Sequence, residues 1–392
     1  MSDDRRAYVT SHPWISFSLR LDRDVPYALW VLLGAAESKC KHLAGIPLRP
    51  EKQRELQRVS LIKGVHATTA IEGNSLTVED VAEISAGRRG AVPESKGYQR
   101  QEIENMLDAY VGVAKAIARD RRCDVTVEAL KSDDGLILRD CHVADGVVPG
   151  EIRTYPVVVS RYRGAPAEDC EHLLRELFDW LDRDWGLGEE HPLLEEILKA
   201  IVAHLYVAWI HPFGDGNGRA ARLLEFRVLM NAGVPLTAAH LLTSYYNETR
   251  DLYHEKLAAS THEGPIGFIM YALRGFVDAL DGQIESILRE QLDVTWENYV
   301  HKDRFGGKLT PALRRRRDLL LEISALDAPV SSDRLRLRLS DGLLGRYRER
   351  PRALARDLNA LEHQELLRKE REGWIAAKES MKAFLPLSNV PR

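Results

Sequence analysis

Apolar residues return every three or four positions over most of the chain, which is the spacing of amphipathic α-helices. The pattern predicts a helix over Glu51–Ile71, with apolar positions at Leu56, Val59, Ile62 and Val65. The segment Pro192–Ile210 is apolar on most faces and therefore predicts a buried central helix. Other helices are predicted over Gln101–Ala118, Ala167–Asp184 and Asn217–Asn231.

The stretch from Gly135 to Pro166 breaks this helical pattern. It combines three β-formers in a row at Val157–Val159 with turn-forming glycines and with prolines at 149, 156 and 166. This combination favours a β-hairpin inserted into a helical protein.

The composition changes beyond about Gln291, where the chain becomes more basic. Lys and Arg outnumber Asp and Glu between Val300 and Arg352. The predicted elements are helices over Pro311–Ala325, Ser331–Leu339 and Pro351–Glu362, and a hairpin over Leu366–Lys378. This order is typical of a winged helix-turn-helix domain. The third helix would offer Arg352 and Arg356 to DNA, and the equally weighted alternative is a solvated basic face on a docking module.

The composition excludes several classes of protein. Of the 392 residues, 44% are hydrophobic and 29% are charged, which is ordinary for a globular chain and wrong for a disordered one. The formal net charge of -4 does not suit a polycation that coats nucleic acid. No apolar run approaches the roughly 20 residues that span a bilayer, and the N terminus lacks the layout of a secretory signal. Four cysteines without a CxxC pair fit a reducing compartment, so we expect a cytoplasmic protein without a membrane partner.

A glycine-rich loop, His211 to Arg222 (HPFGDGNGRAAR), joins two of the predicted helices. It leads into a helix N-terminus, where unpaired backbone N–H groups and the helix dipole favour an anion. Arg219 and Arg222 nevertheless lie in that first turn, where each cation opposes the dipole by about 0.3–1 kcal/mol. A polyphosphate bound between the two arginines would reverse that sign.

Two further side chains of the loop suit phosphate chemistry. Asp215 offers a hard oxygen ligand for Mg²⁺ beside the phosphates. His211 can accept a proton from a hydroxyl, because the ordinary pKa of histidine is about 6.5. The loop lacks the spacing of a P-loop or of a dinucleotide-binding motif. A calcium loop starting at Asp215 is excluded because its fifth and twelfth positions are Arg219 and Phe226.

Glu72 is another charge at an unfavourable helix end. It follows the helix Glu51–Ile71 directly and precedes Gly73, where the dipole disfavours a carboxylate. On its own it would be an ordinary surface residue, whereas a cationic partner elsewhere in the fold would explain its position.

These segments resemble the Fic family. HPFGDGNGRAAR matches the family's motif HPFx[D/E]GNGRxxR at every fixed position, and Thr68 to Asn74 (TTAIEGN) matches its inhibitory motif [S/T]xxxE[G/N]. The resemblance covers roughly residues 14–290 and implies a mainly α fold, with an all-helical core and a β-hairpin flap. We expect an N-terminal helical region (1–100) with an inhibitory helix (about 51–73), a Fic core (101–290) and a winged-helix-like domain (291–392).

The resemblance implies AMPylation, the transfer of AMP from ATP to a Ser, Thr or Tyr hydroxyl of a target protein. His211 would deprotonate the hydroxyl, which attacks the α-phosphate, and pyrophosphate would leave. Asp215 would hold Mg²⁺, Arg219 would contact the β-phosphate and Arg222 the γ-phosphate. The anion nest would be formed by Gly216, Asn217 and Gly218, and Phe213 would be buried and anchor the loop.

The resemblance also implies regulatory and substrate-binding positions. Glu72 would pair with Arg222 and keep ATP from binding with its α-phosphate in line for attack, and Thr68 would help fix the helix. The remaining positions are the adenine contacts Tyr253 and His254 and the flap residues Val157, Val158 and Val159, which would align a target strand. The segment before the flap, LKSDDGLILRDC, lacks a histidine that family members carry there.

Several functions stay open at this level. An autoinhibited adenylyltransferase is the first choice. A de-AMPylase or dual enzyme is the second, because the inhibitory glutamate of some relatives positions a water that removes AMP. A DNA-binding regulator whose Fic core senses nucleotide is the third, and transfer of UMP or phosphocholine is a fourth. The expected partners are ATP, a target hydroxyl, DNA at the C-terminal domain and a second copy of the chain.

Overall fold

A computed structural model describes residues 6–19, 21, 25–88, 93–159, 162–187, 191–326, 328–348 and 352–382. The chain divides into two compact units, Met1–Ile284 and Glu285–Arg392. The helices up to that division, in chain order, are α1 (Tyr8–Ser11), α2 (Tyr27–Gly45), α3 (Pro50–Ile71), α4 (Val78–Ser85), α5 (Gly97–Asp120), α6 (Val127–Ile137), α7 (Ala167–Leu181), α8 (Pro192–Ile210), α9 (Asn217–Asn231), α10 (Leu236–Ala239), α11 (Leu241–Glu248), α12 (Arg250–Glu263) and α13 (Ile266–Asn298), which contains the boundary. The predicted mainly α fold is confirmed.

Helices α8 and α9 form the centre of the first unit. Almost every residue of α8 from Glu195 onward is buried, because apolar side chains occupy all of its faces, and the predicted central helix is confirmed. Helix α9 packs along α8, and α5 and α6 cover α9. The glycine-rich loop is therefore held between the two most buried helices of the unit.

Helix α3 packs against α5, α10 and α11 and reaches α9. Its C-terminal half carries the buried apolar positions, including Ile62 and Val65, whereas the earlier positions Leu56 and Val59 are half-buried. The helix ends at Ile71, and the chain turns through Gly73 at a φ of 98°. A capping box between Thr77 and Asp80 then starts α4, because each side chain accepts a hydrogen bond from the other's backbone N–H.

The segment between α6 and α7 contains a short hairpin. Strands β1 (Val158–Val159) and β2 (Tyr162–Arg163) pair antiparallel, with Val158 opposite Arg163. Gly164 extends the pairing by donating its N–H to the Val157 carbonyl at 3.1 Å. The predicted hairpin is confirmed but shorter than the irregular stretch suggested, because α6 continues to Ile137. Residues 160 and 161 of the flap lie outside the described residues.

Beyond α13, a π-helical segment (Tyr299–Arg304) and a 3₁₀ helix (Lys378–Met381) flank four α-helices and a hairpin within the described residues of the second unit. The α-helices and the hairpin strands are α14 (Pro311–Ser324), α15 (Ser332–Arg338), α16 (Asp341–Arg348), α17 (Ala353–His363), β3 (Leu367–Glu370) and β4 (Gly373–Ala376). The expectation of three helices is wrong, because α16 forms between the second and third and buries Leu343 and Tyr347. Val330 pairs with Trp374 beside the hairpin. Pro351, expected to begin the last helix, lies outside the described residues.

In the part of the chain that the structure describes, no helix combines the length and apolar character needed to cross a membrane.

Candidate active site

The loop between α8 and α9 is fixed by its own backbone and by one side chain. His211 ends α8 in the left-handed region (φ 52°), and Gly216 begins α9 at φ 79°. Asn217 Oδ1 accepts the Phe213 N–H and Asn217 Nδ2 donates to the Phe213 carbonyl, both at 2.9 Å. Phe213 is fully buried, as predicted. The Asn217 side chain therefore closes the loop and does not face an anion. Of Asn217, only the backbone N–H remains for the predicted anion nest.

His211 is arranged as a neutral base. Its Nδ1 lies 3.4 Å from the Ala208 carbonyl, which can only accept, so Nδ1 carries the proton and Nε2 keeps its lone pair. Burial lowers the pKa of His211 to about 4, against a weaker opposing effect of the Ala208 hydrogen bond. The ring therefore stays unprotonated at neutral pH.

Arg153 holds this loop against the flap, and sequence reasoning gave it no role. Its Nε donates to the His211 carbonyl at 2.8 Å, and its backbone N–H donates to the Pro212 carbonyl at 3.0 Å. Its Nη1 and Nη2 reach the carbonyls of Tyr155 at 2.7 Å and Ala165 at 2.5 Å. The side chain is 4% exposed. A lone arginine in this segment carries no spacing signal, because the carbonyls of His211 and Pro212 that it holds are distant in sequence.

Arg222, 1% exposed, is held by the end of α3. Its Nε donates to Thr68 Oγ1 at 2.9 Å, and its Nη2 donates to the Thr68 carbonyl at 3.0 Å. That carbonyl is available because the helix tightens at its end, where the Glu72 N–H bonds to the Thr69 carbonyl at 3.0 Å. Thr68, expected to fix the helix, thus contacts Arg222 directly.

Glu72 is in contact with Arg222, the pairing that the resemblance to the family implies. Arg222 Nη2 donates to Glu72 Oε1 at 2.6 Å, a distance typical of a charge-assisted hydrogen bond. Burial raises the pKa of Glu72, but the opposing charge and hydrogen bond of Arg222 prevail and leave it below its ordinary value. The Glu72 side chain still has 39% of its surface exposed, so the pair faces an open crevice.

The Glu72 carboxylate also lies against the first turn of α9. A Cβ placed on Gly218 would come within 2.3 Å of Glu72 Oε1 and 3.1 Å of Arg222 Nη1. The carboxylate therefore approaches the helix N-terminus, where free N–H groups and the dipole favour an anion. Glu72 therefore supplies an anion to the start of α9.

Arg219 is also paired in this structure. Its Nη1 lies 3.5 Å from Glu102 Oε1, and its Nη2 lies 3.4 Å from Asp215 Oδ1. The other oxygen of Glu102 accepts from Asn74 Nδ2 at 2.8 Å, which links this contact to the chain just after Glu72. Glu102 carried no signal in the sequence, because it is one acid among many on an amphipathic helix.

Asp215 has the chemistry of a ligand for a hard cation. Its side chain is 48% exposed, and Oδ1 accepts the Gly216 N–H at 2.6 Å. No cluster of three or more His, Cys, Asp or Glu that could hold a metal occurs among the described residues. A single accessible carboxylate is the kind of protein ligand that Mg²⁺ uses when phosphate oxygens and water complete its coordination shell.

The expected substrate contacts lie in different surroundings. Tyr253 is 2% exposed and its ring packs within an aromatic cluster, so burial argues against its predicted contact with adenine. His254 is exposed and lies close enough to Glu72 to help lower the pKa of that carboxyl group. In the flap, Val158 and Val159 are 62% and 48% exposed, and Val157 is half-buried.

Comparison with known proteins finds relatives by sequence and by structure. A family model described as Fic/DOC family matches residues 129–229. The protein adenylyltransferase Fic of Nematostella vectensis is 26% identical over 255 residues, which are 65% of this chain and 56% of that protein. The adenylyltransferase fic-1 of Caenorhabditis elegans is 27% identical over 225 residues, covering 56% and 41%. The chain spans about half the length of the curated relatives it matches.

Solved structures share the fold. The crystal structure of a Fic family protein from Desulfovibrio desulfuricans G20 aligns with a TM-score of 0.54 and 22% identity, over 89% of this chain and 93% of that one. Fic-1 residues 134–508 from C. elegans align with a TM-score of 0.54 and 22% identity, over 67% and 74%.

Proposed function

Because the chain is a Fic-family protein, we propose that it is an autoinhibited protein adenylyltransferase, which transfers AMP from ATP to a hydroxyl of a target protein. The proposal rests on the Glu72 carboxylate, which pairs with Arg222 at 2.6 Å and lies against Gly218 at the start of α9. An internal carboxylate thus fills the place where two arginines and a helix N-terminus suit a phosphate. Relatives named as adenylyltransferases support the reaction class.

The reaction uses the residues of the loop in fixed roles. His211 Nε2 takes the proton of the target hydroxyl, whose oxygen attacks the α-phosphorus of ATP as the bond to the β-phosphate breaks and pyrophosphate leaves. Arg219 and Arg222 hold the β- and γ-phosphates once Glu72 withdraws, and the N–H groups at the start of α9 add to the anion site. The exposed edge at Val158 and Val159 pairs with an extended segment of the target.

Asp215 would hold Mg²⁺, which supplies charge neutralisation for the phosphates when it is bound. The half-exposed carboxylate suits that role, because its present contacts are the Gly216 N–H and the more distant Arg219.

The position of a radiolabel tests the reaction class. The Glu72→Gly chain is incubated with Mg²⁺ and ATP labelled in either the α- or the γ-phosphate, and protein-bound label is measured. AMP transfer predicts label from α-labelled ATP only, and its loss in Glu72→Gly with His211→Ala. Label from γ-labelled ATP would indicate a kinase, and label from neither would contradict transferase activity with ATP as donor. Competition of unlabelled UTP with α-labelled ATP tests whether the enzyme uses a different nucleotide.

A second test asks whether the same site also removes AMP from a modified hydroxyl by hydrolysis. Glu72 is exposed enough to hold a water beside a modified hydroxyl. Release of AMP from a labelled target by the wild-type chain, but not by Glu72→Gly, would assign de-AMPylation to this enzyme.

For the second unit, we propose binding to duplex DNA through α17. Asp357, on the inner side of α17, accepts from Arg315 Nε at 2.7 Å and Arg316 Nε at 2.8 Å. These bonds fix the helix with Arg356 exposed in its first turn and Arg352 exposed just before it, and neither has an acidic partner among the described residues. Two exposed arginines one turn apart at the start of a helix suit phosphate or base contacts.

Binding to a short duplex at several salt concentrations tests this assignment. Changing Arg352 and Arg356 to Ala should lower the affinity and reduce the salt dependence by about one unit of slope per lost phosphate contact. Arg289→Ala, which removes an exposed arginine paired with Glu285, is the matched control. Affinity unaffected by the double change would leave α17 as part of a docking surface for another protein.

A further inference from the structure

Arg222 has a second chain of contacts that leads away from the crevice into the core. Its Nη1 donates to Tyr253 Oη at 3.4 Å. Tyr253 Oη lies 2.9 Å from His204 Nε2, and His204 Nδ1 lies 3.2 Å from Glu225 Oε1. The four residues come from α8, α9 and α12 and connect the arginine that meets Glu72 to a second carboxylate.

This second carboxylate is deeply buried. Glu225 is 1% exposed, His204 is fully buried and Tyr253 is 2% exposed. Taking a carboxylate out of water is costly unless it is paired and hydrogen-bonded. Glu225 Oε1 also accepts from Tyr246 Oη at 2.8 Å. Glu225 therefore ends the hydrogen-bonded chain that begins at Arg222.

The hydrogens along the chain can be placed in one consistent direction. Arg222 only donates, so the Tyr253 oxygen accepts from it. The Tyr253 hydroxyl hydrogen is then free to point at His204 Nε2, which accepts it in the tautomer that carries its proton on Nδ1. Burial raises the pKa of Tyr253 to about 12, so the hydroxyl keeps its proton. His204 then donates from Nδ1 to Glu225, which accepts. The arrangement orients each member through its neighbour.

The contacts of Arg222 leave a defined pair of donors for a ligand. Thr68 takes the Nε hydrogen and one Nη2 hydrogen, and Tyr253 takes one Nη1 hydrogen. Glu72 takes the second Nη2 hydrogen. When Glu72 withdraws, one N–H remains on each terminal nitrogen, which is the paired geometry that a phosphate accepts.

We propose that Tyr253, His204 and Glu225 form a positioning relay that keeps Arg222 oriented toward the γ-phosphate after Glu72 has left. The inference rests on the proposed function and extends it to residues that do not touch the nucleotide. Tyr253, expected at the adenine, acts instead through Arg222. The relay replaces the restraint that Glu72 provides in the inhibited state.

Nucleotide affinity measures the relay without turnover. The parent chain carries Glu72→Gly and His211→Ala, and ATP and ADP are titrated calorimetrically with Mg²⁺. Adding Tyr253→Phe should weaken ATP about tenfold, because a hydrogen bond to a charged group is lost, and should change ADP by less than about twofold. Tyr271→Phe is the matched control, since its hydroxyl contacts Thr249 in the same aromatic cluster. It should change neither affinity.

A double-mutant cycle separates positioning from general packing. If Tyr253 acts through Arg222, Tyr253→Phe should have no further effect on ATP affinity in an Arg222→Ala parent. Unchanged ATP affinity in Tyr253→Phe, equal losses for ATP and ADP, or additive losses with Arg222→Ala would each overturn the relay. If the parent chain itself binds no ATP, the proposed function fails and the relay fails with it. The three outcomes above overturn the relay while ATP binding by the parent chain remains, so the two failures can be distinguished.

Discussion

Arg153 donates from Nε to the carbonyl oxygen of His211 at 2.8 Å, at the residue where the backbone enters the left-handed region. A non-glycine residue in that region is unfavourable and persists only where its surroundings hold it. The same guanidinium reaches the Ala165 carbonyl beyond the flap. One side chain therefore sets the position of the base relative to the segment that would carry the target.

Arg153→Lys should impair catalysis more than nucleotide binding. In the Glu72→Gly chain we expect kcat for AMP labelling to fall by about tenfold or more, because one ammonium cannot replace several carbonyl contacts and His211 moves. ATP affinity should change by less than about twofold, since Arg219 and Arg222 lie on α9 and do not contact Arg153 in any described bond. Arg175→Lys, an exposed arginine paired with Glu171, is the control. An unchanged kcat would remove Arg153 from the positioning of His211.

The low pKa of His211 predicts an unusual pH profile. With a pKa of about 4, the base of the free enzyme stays unprotonated between pH 7.5 and 5.5. The kcat/KM of the Glu72→Gly chain at saturating Mg²⁺ should therefore fall by less than about twofold over that range, whereas a base with the ordinary pKa of about 6.5 would lose about tenfold. An acid limb with its midpoint near pH 6.5 would contradict the assignment.

His240 should make stability depend on pH in the same range. It is 2% exposed against α3, and burial lowers its pKa to about 4. The unfolded chain binds more protons than the folded chain between pH 4 and 6.5, so stability falls as pH falls through that window. At pH 5 the loss is about 2 kcal/mol. The Tm difference between pH 7.5 and 5 should shrink in His240→Gln. An equal difference in both chains would show that His240 does not contribute.

Gly218→Ala should remove Glu72 from Arg222 without activating the enzyme. The added Cβ would come within 2.3 Å of Glu72 Oε1. A phosphate oxygen bound in place of that carboxylate oxygen would clash with the same Cβ. In the Glu72→Gly chain, Gly218→Ala should reduce labelling by about tenfold or more. Gly112→Ala, at a helical glycine with open space around it, is the control. Full labelling would mean that the phosphates do not approach the first turn of α9.

Regular periodicity made the central helices readable from the sequence. The bounds predicted for Pro192–Ile210 and Asn217–Asn231 match α8 and α9. Long apolar faces identify both helices, and the glycines between and after them mark where the helices end. Helix α16 was missed because Gly342 and Gly345 weaken its helical signal, although Leu343 and Tyr347 bury its inner face.

The site was readable only where its residues are close in the chain. The loop from His211 to Arg222 carries its own spacing. Glu72 stood out at an unfavourable helix end, but its pairing with Arg222 came from the resemblance of residues 68–74 to the family's inhibitory motif. Arg153 and Glu102 could not be found in that way, because their partners are distant in sequence. His204 and Glu225 lie among the apolar residues of buried helices. The role of a buried polar residue cannot be inferred until its hydrogen-bond partners are known.

The most direct test of the account compares initial rates of protein labelling from α-labelled ATP and Mg²⁺ in three full-length chains. These are the wild type, Glu72→Gly, and Glu72→Gly with His211→Ala. The account predicts that Glu72→Gly labels at least about tenfold faster than wild type, and that His211→Ala returns the rate to background. Equal rates in the wild type and Glu72→Gly, or full labelling without His211, would contradict it.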